Sequence, residues 1–117
     1  MALEDLQQFI GGGDQYRHIS GLLYTEGVRY VAEEGKAYWL IDAIASYQRD
    51  RRLRENARLQ EFQLWELTVQ DTHGSLTCRE DTDLEPVVRQ EIEFTDFPLP
   101  TIRFYVEAGV LLLPQEH

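Results

Sequence analysis

One cysteine in 117 residues, Cys78, excludes an intramolecular disulfide, and the absence of any CxxC or Cys/His grouping excludes a cysteine-built zinc site. Such usage fits a reducing compartment, so a cytoplasmic location is expected. No apolar run approaches the roughly 20 residues that span a bilayer, and Met1-Ala2-Leu3-Glu4-Asp5 has neither the basic nor the apolar region of a secretory signal. No membrane association is expected. The three histidines, His18, His73 and His117, lack the spacing of a metal-binding pair, so no metal or other cofactor is implied. A centre gathered by the fold from His18, Asp42 and His73 is the one such arrangement left open. Gly11-Gly12-Gly13 is followed by no Gly-Lys-Ser/Thr, Ser46 has no GxSxG context, and Glu80-Asp81-Thr82-Asp83-Leu84-Glu85 lacks the DxDxDG of a calcium loop.

What is present describes a folded domain. Hydrophobic residues make up 43% of the chain and aromatics 11%, enough for one two-layer core, so residues 1–117 are expected to form a single domain. The net charge of −10 is unevenly spread: residues 49–60 hold five bases and two acids, whereas residues 61–117 hold three bases and twelve acids. An acidic half of this kind repels phosphate backbones, so nucleic-acid binding is disfavoured outside the strip Arg49, Arg51, Arg52, Arg54 and Arg58. A solvated helix face is the simplest account of that strip, and an anion-binding surface is the alternative.

Apolar periodicity divides the chain at about residue 60. Leu3, Leu6, Phe9 and Ile10 predict a short amphipathic helix ended by Gly11-Gly12-Gly13. Over residues 20–34, Thr25 can cap a helix with Val28, Val31 and Ala32 inward and Gly35 at its end; the alternative is a hairpin turning at Thr25-Glu26-Gly27, and the helix is preferred. A long helix is predicted from about residue 36 to 58. After residue 60 the period falls to two: Trp65, Leu67 and Val69 share one face of a strand, Leu76 and Cys78 point inward from a second, and Val88, Ile92 and Phe94 form the buried side of a third. Ile102-Phe104-Val106 and Val110-Leu113 then flank a turn at Glu107-Ala108-Gly109. The expected fold is α+β, mainly helical over 1–60 and mainly strand over 61–114. Its N-terminal helices are expected on one face of an antiparallel sheet of about four to five strands.

Within the predicted long helix, Ala37, Leu40, Ile41, Ile44 and Ala45 make the core stripe, while Trp39, Asp42, Ser46 and Arg49 fall on the other side. An aromatic and a carboxylate off the apolar face make Tyr38, Trp39, Asp42 and Ser46 the candidate binding residues, with Asp42 as the best single polar candidate. The preferred expectation is nonetheless that Asp42 anchors the preceding loop, accepting hydrogen bonds from backbone groups or from Tyr24, Arg17 or Arg29. No catalytic set is identified, because no second acid, base or nucleophile is placed beside Asp42 by spacing.

The motifs Leu23-Tyr24-Thr25-Glu26-Gly27-Val28, Ala37-Tyr38-Trp39-Leu40-Ile41-Asp42, Phe62-Gln63-Leu64-Trp65 and Thr95-Asp96-Phe97-Pro98-Leu99, with Gly109 to Pro114, resemble a family of small bacterial, plasmid and phage proteins known as a domain of unknown function. The resemblance implies a compact stand-alone protein of mobile elements and carries no catalytic assignment. Three functions are therefore weighed. The leading one is a non-enzymatic module that binds a protein partner or itself, including as a homodimer, motivated by the acidic sheet half, Trp39 and the apolar run Val110-Leu111-Leu112-Leu113. One version of it is an inhibitor whose carboxylates imitate DNA phosphates. The others are a small-ligand binder or enzyme built around Trp39 and Asp42, and a nucleic-acid binder using the arginine strip.

Overall fold

The computed structural model describes residues 14–117, so the predicted helix over 3–10 and its glycine stop lie outside the described residues. Seven strands and four helices follow in the order β1 (Gln15–Arg17), β2 (Leu23–Thr25), α1 (Glu26–Glu34), α2 (Tyr38–Tyr47), α3 (Arg51–Arg54), α4 (Ala57–Glu61), β3 (Phe62–Gln70), β4 (His73–Arg79), β5 (Val88–Ile92), β6 (Thr101–Glu107) and β7 (Val110–Leu112), with a 3₁₀ turn at Pro114–Glu116. The strands form one sheet in the order β1-β2-β7-β6-β3-β4-β5. The fold is α+β, but the sheet exceeds the expected four to five strands and is mixed, because β2 runs parallel to β7. The two unforeseen strands lie in the half read as helical.

The helix preferred over residues 26–34 forms, and the alternative hairpin at Thr25-Glu26-Gly27 does not, because Val28 to Val31 is helical and β2 pairs with β1 and β7 instead. Leu23–Thr25 is a strand, and Thr25 is also the N-cap of α1, its hydroxyl accepting from the Val28 N–H at 3.2 Å. Val28, Val31 and Ala32 are buried as the helical period requires, and Gly35 ends the helix with its N–H on the Val31 carbonyl.

The expected long helix over 36–58 is three helices. Asp50 interrupts it: extended at φ −68° and ψ 137°, it caps α3 by accepting from the Arg52 N–H at 2.9 Å. Asn56 caps α4 in the same way through the N–H groups of Arg58 and Leu59. The two breaks re-aim the chain so that Leu53 and Leu59 both enter the core. The guanidinium of Arg52 grips the Asp50 carboxylate and the Arg52 N–H adds to it, lowering the acid to about pKa 2. A depressed acid contributes stability that is complete above its unfolded value near 3.9 and is lost as pH falls through its folded value. The stability difference between wild type and Asp50→Ala is therefore expected to hold down to about pH 4 and to disappear toward about pH 2, measured by urea unfolding at each pH.

The sheet's strand registers build the core. Trp65 pairs with Cys78 on one side and Phe104 on the other, and Leu67 with Leu76 and Ile102, so each rung puts three apolar side chains on one face. These join one core with Val28, Val31, Leu40, Ile41, Ile44 and Leu111. Burial pushes the Cys78 thiol up to about 12, which fits a core hydrophobe and not a nucleophile. Val110-Leu111-Leu112-Leu113 needed cover and has it, because β7 lies inside the sheet between β2 and β6. The expected turn at Glu107-Ala108-Gly109 closes the β6–β7 hairpin on Ala108 (φ 50°) and Gly109 (φ 80°), the left-handed pair that a two-residue hairpin demands. Phe94 was expected in the buried side of a strand; it lies beyond the end of β5 and is 69% exposed. Thr95 explains the difference, since its N–H bonds to the Thr72 carbonyl and turns the chain away from the ladder.

Candidate functional site

Asp42 stands on the outer side of α2, and its partner comes from 24 residues earlier. Its Oδ1 lies 2.7 Å from Nε2 of His18, whose side chain is 16% exposed against 71% for that of Asp42. The other ring nitrogen, Nδ1, accepts from the Ser20 N–H at 3.0 Å and lies 2.8 Å from the Ser20 hydroxyl. Because a backbone N–H can only donate, Nδ1 is the acceptor of the neutral ring and Nε2–H is the donor to Asp42. The His18–Leu22 turn that holds this chain of contacts is closed by two backbone bonds, His18 N–H to the Leu22 carbonyl and Gly21 N–H to the His18 carbonyl. Gly21 sits at φ 102°, which a residue with a side chain rarely adopts.

The other residues grouped with Asp42 go elsewhere. The Tyr38 hydroxyl donates to Glu33 at 2.7 Å, and the Ser46 hydroxyl donates to the Ala43 carbonyl at 2.7 Å. Burial and the Glu33 bond both raise the Tyr38 pKa, so the phenol stays protonated. Trp39 is half-buried against the core and is not a free aromatic. Tyr38, Trp39, Asp42 and Ser46 thus share a helix, while Tyr38, Asp42 and Ser46 each bond to a different partner. His73 is bonded to Glu91 at 2.9 Å across β4 and β5, remote from the His18–Asp42 pair, and no group of three metal-ligating side chains exists among the described residues.

The arginine strip is largely self-neutralised. Arg51 pairs with Glu55, Arg52 with Asp50 and Arg58 with Glu80, all at the surface where such pairs are weak. Arg49 and Arg54 make no side-chain hydrogen bond or ion pair among the described residues. His18 and Ser20, unlike Asp42, were not singled out by spacing as a site. The signal was their two-residue separation in a glycine turn, which acquires meaning only once the turn is laid on α2.

Fold and site together define a small acidic α+β protein. The chain belongs to the family of unknown function DUF6876, whose match covers residues 1–117. No curated protein and no solved structure matches it.

Proposed function

We propose that the protein is a non-enzymatic interaction module that receives an extended, basic segment of a partner protein on the outer edge of β5. The observation that carries this reading is that β5 pairs with β4 alone among the described strands, leaving its other edge open between two exposed apolar side chains, Leu84 before it and Phe94 after it. An open strand edge is a template for an added strand, and flanking apolar groups give that strand something to bury. Asp81, Asp83, Glu85, Glu91, Glu93 and Asp96 lie in or near β5 along the chain and outnumber Arg79 and Arg89 there, so the occupant this charge favours carries lysine and arginine. In this reading α1 and α2 cover one face of the sheet, and the module acts in the cytoplasm. The earlier ground in Val110-Leu113 falls away, since β7 lies inside the sheet, and Trp39 is half-buried against the core; the acidic edge remains.

Amide hydrogen exchange with and without an alternating Lys/Val heptapeptide tests the proposal. Protection confined to β5, weakened at least tenfold by 0.5 M salt and by Phe94→Asp, is the expected result. Unchanged β5 exchange would overturn it. A dimer by light scattering that buries β5 independently of salt would replace the basic partner with a second copy. Displacement of a captured partner by duplex DNA would mark the version in which the carboxylates imitate phosphates.

A further inference from the structure

The sequence of β5 is complementary to itself. Its residues read Val88-Arg89-Gln90-Glu91-Ile92, apolar at both ends, with a cation and an anion spaced evenly about the middle. Strand alternation sets Arg89 and Glu91 on one face and Val88, Gln90 and Ile92 on the other, where Val88 is buried. Arg89 makes a single 3.4 Å bond to the Ser75 hydroxyl and no ion pair among the described residues. Glu91 is half-exposed and meets only His73 and that same hydroxyl. Gln90 accepts from the Tyr47 hydroxyl through Oε1, and its Nε2 has no hydrogen bond among the described residues.

We infer that β5 also pairs with β5 of a second copy of the chain, antiparallel about a two-fold axis at Gln90, and that this self-pairing regulates access to the edge. The inference rests on the reading above that β5 takes up an added strand. In this register Arg89 of each copy faces Glu91 of the other, Val88 faces Ile92, and the two Gln90 side chains meet at the axis. Of the axes within β5, only that at Gln90 sets unlike charges opposite each other; an axis at Arg89 or Glu91 sets that residue against its own copy. The pairing uses the open N–H and C=O groups of both edges and joins two seven-stranded sheets into one. It also carries Phe94, 69% exposed, toward Pro86 of the other copy. A second copy and a basic segment need the same edge, so each excludes the other, and their responses to salt are opposite. Two copies of net charge −10 repel, and salt screens that repulsion more than it weakens the exposed Arg89–Glu91 pairs. A basic segment is attracted, and salt weakens its binding. Low salt therefore favours the partner and high salt the dimer.

Sedimentation equilibrium of the full chain at low salt and at about 0.5 M salt tests the pairing. A dimer that tightens with salt is expected. Arg89→Glu and Glu91→Arg are each expected to weaken it at least tenfold with unchanged circular-dichroism spectra. An equimolar mixture of the two variants is expected to recover the dimer, because each then meets the opposite charge at both places. Gln90→Cys is expected to form a disulfide between copies on mild oxidation, whereas Arg89→Cys, offset along the strand from its own copy, is not; Cys78 is buried and does not compete. The Lys/Val heptapeptide is expected to dissociate the dimer. A monomer under all conditions, or a mixture no tighter than the single variants, overturns the self-pairing. A dimer that loosens with salt, or that persists when the peptide saturates β5, overturns the regulation. Peptide protection of β5 in a chain that stays monomeric leaves the docking reading standing while the self-pairing falls, and a dimer without peptide protection does the reverse.

Discussion

Replacing Gln63 with leucine is expected to destabilise the protein by about 3 kcal/mol and lower Tm by about 10 °C, read by urea and thermal unfolding. Gln63 is 2% exposed, yet its amide is fully used. Its oxygen accepts from Trp65 Nε1 at 2.8 Å and Gln48 Nε2 at 2.9 Å, while its nitrogen donates to Gln48 Oε1 at 2.8 Å and the Leu59 carbonyl at 3.0 Å. One side chain thus ties the end of α2, the end of α4 and the central strand together. Leucine would fill the space but strand the indole N–H of Trp65, which has no route to water. Removing that donor as well should return part of the loss. Gln63→Leu with Trp65→Phe is expected to be less destabilised than the sum of the two single changes by about 1 to 2 kcal/mol.

Glu116→Ala is expected to cost about 2 kcal/mol by the same measurement, although it lies one residue from the end of the chain. Its carboxylate accepts from the Thr25 hydroxyl at 2.6 Å, from the Gly27 N–H at 3.2 Å and from the Leu113 N–H at 3.0 Å, so a negative charge closes on the first turn of α1. Gly27 is what admits it, since a methyl group there would meet the carboxyl atoms at 2.7 to 2.8 Å. Those atoms are the far end of a flexible side chain, so Gly27→Ala displaces Glu116 and does not break the helix. The substitution is therefore expected to destabilise the wild type and, by its helix propensity, to stabilise Glu116→Ala by about 0.5 to 1 kcal/mol. A change of sign between the two backgrounds is the signature of that contact.

What could be read in the sequence was what neighbours in the chain decide. The Thr25 cap, the Val28, Val31 and Ala32 stripe, the alternation through Trp65 and Leu67, and the hairpin at Ala108-Gly109 all rest on contacts within a few residues. The division of residues 38–61 was written in Asp50 and Asn56, both good N-caps, but the arginines, leucines and glutamines around them are strong helix formers and masked the stops. β1 and β2 are three residues each, too short for a period to show, and β2 gains its second neighbour from the far end of the chain. Asp42 was recognisable as a polar residue on the wrong side of a helix, and the expectation that it anchors the preceding loop comes close to what is seen. That the anchor is His18, and that Ser20 completes the contact, depends on packing a turn against a helix 24 residues away. Phe94 was misplaced because alternation alone cannot say where a strand stops.

The parallel pairing of Leu23 with Val110 and Tyr24 with Leu111 has a kinetic consequence. Nearly the whole described chain must be looped out before these two strands meet, and closing so long a loop is entropically slow, whereas the β3–β4 and β6–β7 hairpins close over two residues each. The β1–β2 hairpin therefore joins last, after the hydrophobic centre has condensed. As a late addition held at one margin of the sheet, it is also the unit that detaches most readily under native conditions. His18 and Ser20 ride on that unit while Asp42 and Arg49 stay with the body, so transient release of one hairpin takes the contact apart and its return rebuilds it.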